Sequence, residues 1–149
     1  MVSNFLWGTV QTPYALLTTE MNSLANGTLS AIGPEINNIS GAWQVGMLSL
    51  HLASAAFVAP SFANVYLVPS TDANGAAYPI FTSAAAAALQ NYLAGTMFIN
   101  GSTAAQNETL PYVRIPLGKF KALILTGGSC PTLGATGNTL NLYPTPSQY

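Results

Sequence analysis

The sequence predicts a mainly β fold: an antiparallel β-sandwich or jelly roll of about seven or eight strands, with one or two short helices. Short apolar segments follow one another along the chain, separated by turns rich in Gly, Pro and Asn. The clearest segment alternates apolar and polar residues, which is the period of a half-buried strand. The length of 149 residues predicts a single domain over residues 1–149, with extended arms at residues 1–12 and 143–149.

The N-terminal third carries the most ambiguous elements. Apolar residues near helical spacing predict a short helix over residues 19–25, which Asn26-Gly27 would end. A strand over residues 14–17 fits the same region nearly as well. A strand over residues 28–39, broken at Gly33-Pro34, follows.

The centre of the chain carries the clearest strand. Over residues 43–53, Leu48, Leu50 and Leu52 alternate with Ser49 and His51, so one face is expected to be buried. This places His51 on the face opposite the leucines. A second strand is predicted over residues 63–68, with apolar residues on both of its faces.

The second half of the chain predicts four more strands, over residues 96–100, 110–115, 120–126 and 139–143. Pro111 within the second of them predicts an edge strand, because proline cannot donate to a central ladder. The alanine-rich segment 82–94 is consistent with a helix of about three turns that Gly95 would stop, or with a loosely ordered loop.

Charged residues are scarce. Four acids and three bases give a net charge of −1 and a charged fraction of 5%, where an average soluble domain has about 25%. Three bases cannot form the dense positive surface that nucleic acid requires, so no nucleic-acid partner is expected. Because a net charge near zero promotes association, we expect much of the surface to contact another protein.

Neither a membrane span nor a secretory signal is expected. Two long uncharged stretches, residues 36–71 and 73–107, contain Pro, Gly and Asn, whereas a spanning helix needs about 20 consecutive apolar residues. The first basic residue is Arg114, whereas a signal peptide carries positive charge at its start. The single Cys130 is compatible with a reducing cytoplasm.

No arrangement of residues points to catalysis, a metal or a cofactor. His51 is the only histidine, and we interpret it as an outward or interfacial side chain, although Asp72 could orient it as a general base. Clustered metal ligands and a Gly-x-Ser-x-Gly nucleophile motif are absent from the sequence. Cys130 precedes a proline and has no base near it in sequence, so a reactive thiol is not expected. The sequence therefore predicts a non-enzyme.

The aromatic residues favour contacts between subunits. An uncharged arm can add to a neighbouring sheet as a strand, and Tyr and Trp are enriched at interfaces. The predicted partner-interface residues lie in the two arms: Phe5, Leu6, Trp7, Tyr143 and Tyr149. Exposed aromatic side chains that stack on sugars are the alternative interpretation.

Three parts of the sequence carry a family resemblance: residues 6–12 (LWGTVQT), residues 65–70 (VYLVPS), and residues 118–121 (GKFK) with 137–140 (GNTL). In these stretches the chain resembles small structural proteins of tailed bacteriophages, in particular capsid decoration (cement) proteins. The resemblance implies a β-sandwich or jelly-roll trimer, made in the host cytoplasm. It would bind the major capsid protein and stabilise the outer capsid surface of the virion. The alternative is a tail, fibre or head-fibre adhesin that binds host surface glycan through an exposed aromatic cluster in a groove.

Overall fold

The fold is described from a computed structural model, which describes residues 12–39, 43–72, 77–79, 81 and 89–145. These residues form eight strands in two antiparallel sheets of four strands each. The strands are β1 (Tyr14–Leu17), β2 (Ile36–Asn37), β3 (Val45–Leu52), β4 (Ser61–Pro69), β5 (Leu93–Ile99), β6 (Gln106–Arg114), β7 (Lys119–Gly128) and β8 (Thr139–Thr145). The β-sandwich that the sequence predicts is confirmed.

The strand order follows from folding the chain back on itself. Sheet 1 has the order β1-β8-β3-β6, and sheet 2 has the order β2-β7-β4-β5. Each strand of the first half therefore pairs with its counterpart in the second half, β1 with β8, β2 with β7, β3 with β6 and β4 with β5. Wrapping this double ribbon into two facing sheets gives the connectivity of the eight-stranded jelly roll.

The main core lies between the two sheets. Leu48, Leu50 and Leu52 of β3 are buried there, as their alternation predicts, and His51 lies on the opposite face. From sheet 2, Val65 of β4 and the inward residues of β7 pack against them. Burying one such side chain stabilises the fold by about 1.5–3 kcal/mol, so this alternation is the main determinant of the strand register.

A second apolar cluster lies on the outer face of sheet 2. Strand β4 is buried on both faces, because Tyr66 and Val68 point away from the main core and pack with Leu89 and Leu123. Aromatic side chains from outside the strands cover this cluster, namely Tyr78, Phe81 and Tyr92. The end of the sheet that contains Phe62 lies beyond these covering residues.

The helix predicted over residues 19–25 is wrong. This segment forms two tight turns, in which the amide of Asn22 donates to Thr19 (3.0 Å) and that of Leu24 donates to Met21 (3.2 Å). Ser23 between them has a φ of 56°, a left-handed conformation that no α-helix contains. The amide of Ser23 instead donates to Gly134 (3.0 Å), so a tertiary contact replaces helical bonding. The alternative, a strand over residues 14–17, is confirmed as β1.

The helix predicted over residues 82–94 is wrong at its C-terminal end, whereas Leu89 is helical. Residues 82–88 lie outside the described residues, and Gln90–Tyr92 form a single 3-10 turn. Strand β5 then begins at Leu93, so Gly95 lies inside a strand, opposite Val65 of β4. Pairing with β4 stabilises this segment as a strand, and this stabilisation exceeds the weak helical preference of a short alanine run.

The C-terminal arm predicted from residue 143 begins inside β8, which continues to Thr145. Pro144 lies opposite Gly46 of β3, beyond the last β1 pairing at Leu142. At this point β8 has a neighbouring strand on one side only among the described residues, and such one-sided positions tolerate proline.

The sheet edges differ in how well they are covered. Backbone amides of residues 27–38 donate hydrogen bonds along β7 at irregular intervals. Gly27 donates to the carbonyl of Thr126, Ser30 to that of Ile124, Gly33 to that of Ala122, and Asn38 to that of Gly118 just before the strand. On the opposite side of the sandwich, β5 ends sheet 2 and β6 ends sheet 1. The edge position predicted from Pro111 is thus confirmed, and within the described part of the chain neither outer edge has a strand partner.

Candidate interaction surfaces

Of the five predicted interface residues, the structure describes Tyr143 alone. It lies on the outer face of sheet 1, partly buried, directly opposite Met47 of β3. Phe5, Leu6, Trp7 and Tyr149 lie outside the described residues. The predicted arm interface therefore stays a prediction.

The outer face of sheet 1 is polar but uncharged along its centre. Asn141, Ser49 and Thr109 form one row across β8, β3 and β6, and Thr139, His51 and Asn107 form the next row. His51 Nδ1 lies 2.8 Å from Asn107 Oδ1. An amide neither gives nor takes a proton at neutral pH, so this pair lacks the carboxylate that orients a catalytic histidine.

The position of Cys130 is that of a core residue and not that of a reactive thiol. Its side chain is buried in the main core, and this burial raises the pKa of its thiol. A raised pKa lowers the thiolate fraction, which is the reactive form. Among the described residues, no group of three or more His, Cys, Asp or Glu side chains could hold a metal ion.

An aromatic patch lies at the uncovered end of sheet 2. Phe62 of β4 and Phe98 of β5 are direct cross-strand neighbours on the outer face, and Phe98 is 71% exposed. In the next row, Thr96 Oγ1 donates to Asn64 Oδ1 at 2.6 Å. Both rows consist of uncharged residues, and we call this surface the Phe62–Phe98 patch. Sequence periodicity alone did not find it, because it depends on which end of the sheet is covered.

A groove opens on the side of the sandwich where β5 and β6 end their sheets. It has a volume of about 540 Å³. Its walls come from Leu67 of β4, Tyr92 of the 3-10 turn, Leu93 at the start of β5, and Tyr112 to Pro116. We call it the edge groove. Its volume falls within the range of about 300–1,000 Å³ that is usual for ligand sites.

A β-bulge turns Tyr112 outward at the mouth of the edge groove. Two residues of β6, Pro111 and Tyr112, face the single Met47 of β3. Tyr112 has a φ of 57° and is 87% exposed. For a bulky residue this left-handed conformation costs about 1–3 kcal/mol, and such strained residues are concentrated at binding sites. The sequence contains no signal for it beyond the proline that precedes it.

The edge groove has one charged side chain in its lining, the exposed Arg114. Among the described residues, no carboxylate forms an ion pair with this guanidinium. The groove thus combines mostly apolar walls with one uncompensated positive charge at its rim.

Three of the six other charged side chains lie together at a corner of sheet 2. Lys119 Nζ lies 3.0 Å from Glu35 Oε1, and the Tyr78 hydroxyl donates to Glu35 Oε2 at 2.8 Å. Lys121 Nζ lies 4.6 Å above the centre of the Tyr78 ring. The hydrogen bond from Tyr78 and then that from Lys119 lower the pKa of the Glu35 carboxyl, whereas burial and the nearby Glu35 raise the pKa of Tyr78.

Comparisons with protein-family models, with curated proteins and with solved structures find no match for this chain. In the part of the chain that the structure describes, no helix is long and apolar enough to cross a membrane.

Proposed function

We propose that this chain is a non-catalytic structural protein that packs against other protein subunits through uncharged, apolar surfaces. The observation that carries the proposal is the Phe62–Phe98 patch, where Phe98 is 71% exposed in an uncharged part of sheet 2. Burial of apolar surface gives about 25 cal/mol per Å², and exposed apolar patches commonly mark protein interaction sites.

The assembly that we propose is a bacteriophage capsid, in which the protein binds the major capsid protein and its own copies on the outer surface and stabilises the shell. The sequence resemblance to decoration proteins supports this assignment. The fold supports it only by analogy, because jelly rolls occur in viral capsid subunits but also in lectins. The scarcity of charge suits adhesion that many copies reinforce by avidity.

The first test is the mass of the purified protein in solution, by light scattering coupled to size exclusion. We expect a trimer of 15.5 kDa chains, which is about 47 kDa, and a lower mass for Phe98→Ser. The matched control is Leu117→Ser, because Leu117 is 72% exposed but lies in the turn before β7. Equal masses for Phe98→Ser and wild type would contradict a role of the patch in self-association.

The capsid assignment needs a second test, co-sedimentation with heads of the virus that encodes the chain. We expect binding that persists at about 1 M NaCl, because salt screens charges and few charges are present. Release by salt would contradict adhesion through apolar surfaces, and an absence of binding to heads would contradict the capsid assignment.

A second candidate function is glycan binding by a phage adhesin, for which the edge groove would be the site. Tyr112 offers an exposed aromatic ring there, and Asn91 and Arg114 offer polar groups. A glycan array tests it. Binding that Tyr112→Ala abolishes would support this function, and an array without any bound glycan would remove it.

A further inference from the structure

Two strand edges meet at the edge groove and leave it open. Strands β5 and β6 approach each other where Leu110 packs on Gly95, so closely that a Cβ at Gly95 would collide with Leu110. Beyond this contact, toward Leu93 and Tyr112, the space between the edges widens into the groove. Strand edges commonly recruit extended segments of other proteins, because their main-chain groups are unpaired.

The walls of the groove favour an apolar side chain. Leu67, Leu93 and Ile115 line it, together with prolines. Sugars need several polar partners in a site, and the polar side chains that line the groove among the described residues are Asn91, Arg114 and the tyrosine hydroxyls. A peptide can place one hydrophobic residue between the sheets and leave its polar backbone at the strand edges.

The rim of the groove favours a carboxylate. Arg114 is exposed, and no acidic side chain among the described residues pairs with it. A guanidinium binds a carboxylate with two parallel hydrogen bonds, which makes such a pair both specific and strong. Tyr112 stands beside it on the same bulged strand, with its ring exposed at the mouth.

We propose that the edge groove binds an extended segment of a partner protein, with an apolar side chain inserted between the sheets and an adjacent Asp or Glu on Arg114. The proposal rests on the proposed function in one respect, that the partner is a protein. The edge groove and the Phe62–Phe98 patch lie on different faces of the sandwich. An experiment can therefore contradict one of the two proposals without contradicting the other.

The experiment uses a random heptapeptide library as the probe, selected on immobilised wild-type protein. We expect enriched peptides to pair an apolar residue with a neighbouring Asp or Glu. Replacing that acid by its amide should weaken binding by about tenfold, the size of a lost charge-assisted hydrogen bond. Arg114→Gln should bind both peptides equally and weakly.

The controls separate this proposal from the proposed function. Phe98→Ser should keep peptide binding while it lowers the assembled mass, and Arg114→Gln should do the reverse. Arg114 is exposed, so its replacement leaves the fold intact. No enrichment over Arg114→Gln, or enriched peptides without an acid, would overturn the proposal. Binding of acidic oligosaccharides in place of peptides would overturn it in favour of glycan binding.

Discussion

The ring of Phe62 on β4 occupies the space that a side chain at position 127 on β7 would need. A Cβ built on Gly127 would collide with two atoms of this ring, and Phe62 and Gly127 are cross-strand neighbours. The missing side chain therefore lets Phe62 lie low on the sheet, next to the exposed Phe98. The pairing of a glycine with a large aromatic residue on the neighbouring strand thus shapes the surface of the Phe62–Phe98 patch.

Gly127→Ala should change association more than stability. The ring of Phe62 is half-buried and can rotate outward, so we expect a loss of less than about 1 kcal/mol in the free energy of unfolding. The displaced ring would alter the shape of the patch and weaken self-association. Urea denaturation and light scattering measure the two effects, and an unchanged assembled mass would speak against the patch as the interface.

Two glycines allow a matched test of backbone strain against collision. Gly27 and Gly128 both have a φ of 71°, but a Cβ at Gly27 would meet nothing within 4 Å, whereas one at Gly128 would collide with the Pro60 carbonyl. Gly27→Ala should cost about 1–2 kcal/mol, the price of a left-handed Ala. Gly128→Ala should cost clearly more, because the backbone must also shift. Equal losses in thermal unfolding would contradict the collision.

The buried side chain of Asn38, directly after β2, acts as a clamp because it hydrogen-bonds to two separate parts of the chain. Its Nδ2 donates to the carbonyls of Trp43 (2.8 Å) and Pro116 (2.9 Å), and its Oδ1 accepts from the Trp43 amide (2.8 Å). Asn38→Ala would leave three backbone groups unsatisfied, so we expect a loss of about 2–4 kcal/mol. Asn100→Ala is the control, since Asn100 is exposed. Urea denaturation of both variants checks the difference, and losses of similar size would exclude a clamp.

The strands could be predicted from the sequence where one face is buried. Leu48, Leu50 and Leu52 fixed β3 by alternation, and Pro111 placed β6 at an edge. The predictions failed where tertiary contacts decide the local conformation. The hydrogen bond from the Ser23 amide to the Gly134 carbonyl joins residues more than one hundred positions apart, which no local pattern contains.

The candidate surfaces were harder to predict for the same reason. The scarcity of charge predicted contact with partners, but not where on the sandwich it occurs. That Tyr66 is covered while Phe98 is exposed depends on where Tyr78, Phe81 and Tyr92 pack on sheet 2. The bulge at Tyr112 arises from an offset between β3 and β6, and the sequence of β6 alone does not encode that offset.

Tyr66→Phe should leave stability unchanged or raise it by up to about 1 kcal/mol. Burial raises the pKa of Tyr66, and the neighbouring Asn64 side chain partly opposes this rise, but the buried hydroxyl forms no hydrogen bond of good geometry among the described residues. Burying a hydroxyl without a well-formed hydrogen bond is unfavourable. Tyr78→Phe is the comparison, because it removes the hydrogen bond to Glu35 and should destabilise the fold. Thermal unfolding distinguishes the two variants, and a clear loss for Tyr66→Phe would show that its hydroxyl has a partner.

Glu35 should make stability depend on pH in the acidic range. Tyr78 and Lys119 lower the pKa of its carboxyl below the ordinary 4.5, so in this region the folded state binds protons less readily than the unfolded chain. The resulting stabilisation is fully present above the unfolded pKa and is lost as pH falls through the folded pKa. Glu35→Gln should therefore be less stable than wild type at pH 7, and the difference should shrink below about pH 4. Urea denaturation from pH 7 to pH 3 measures this, with Glu108→Gln on β6 as the control for the loss of one negative charge. A difference between wild type and Glu35→Gln that stays constant down to pH 3 would mean that the Tyr78–Glu35–Lys119 cluster does not favour the ionised carboxyl.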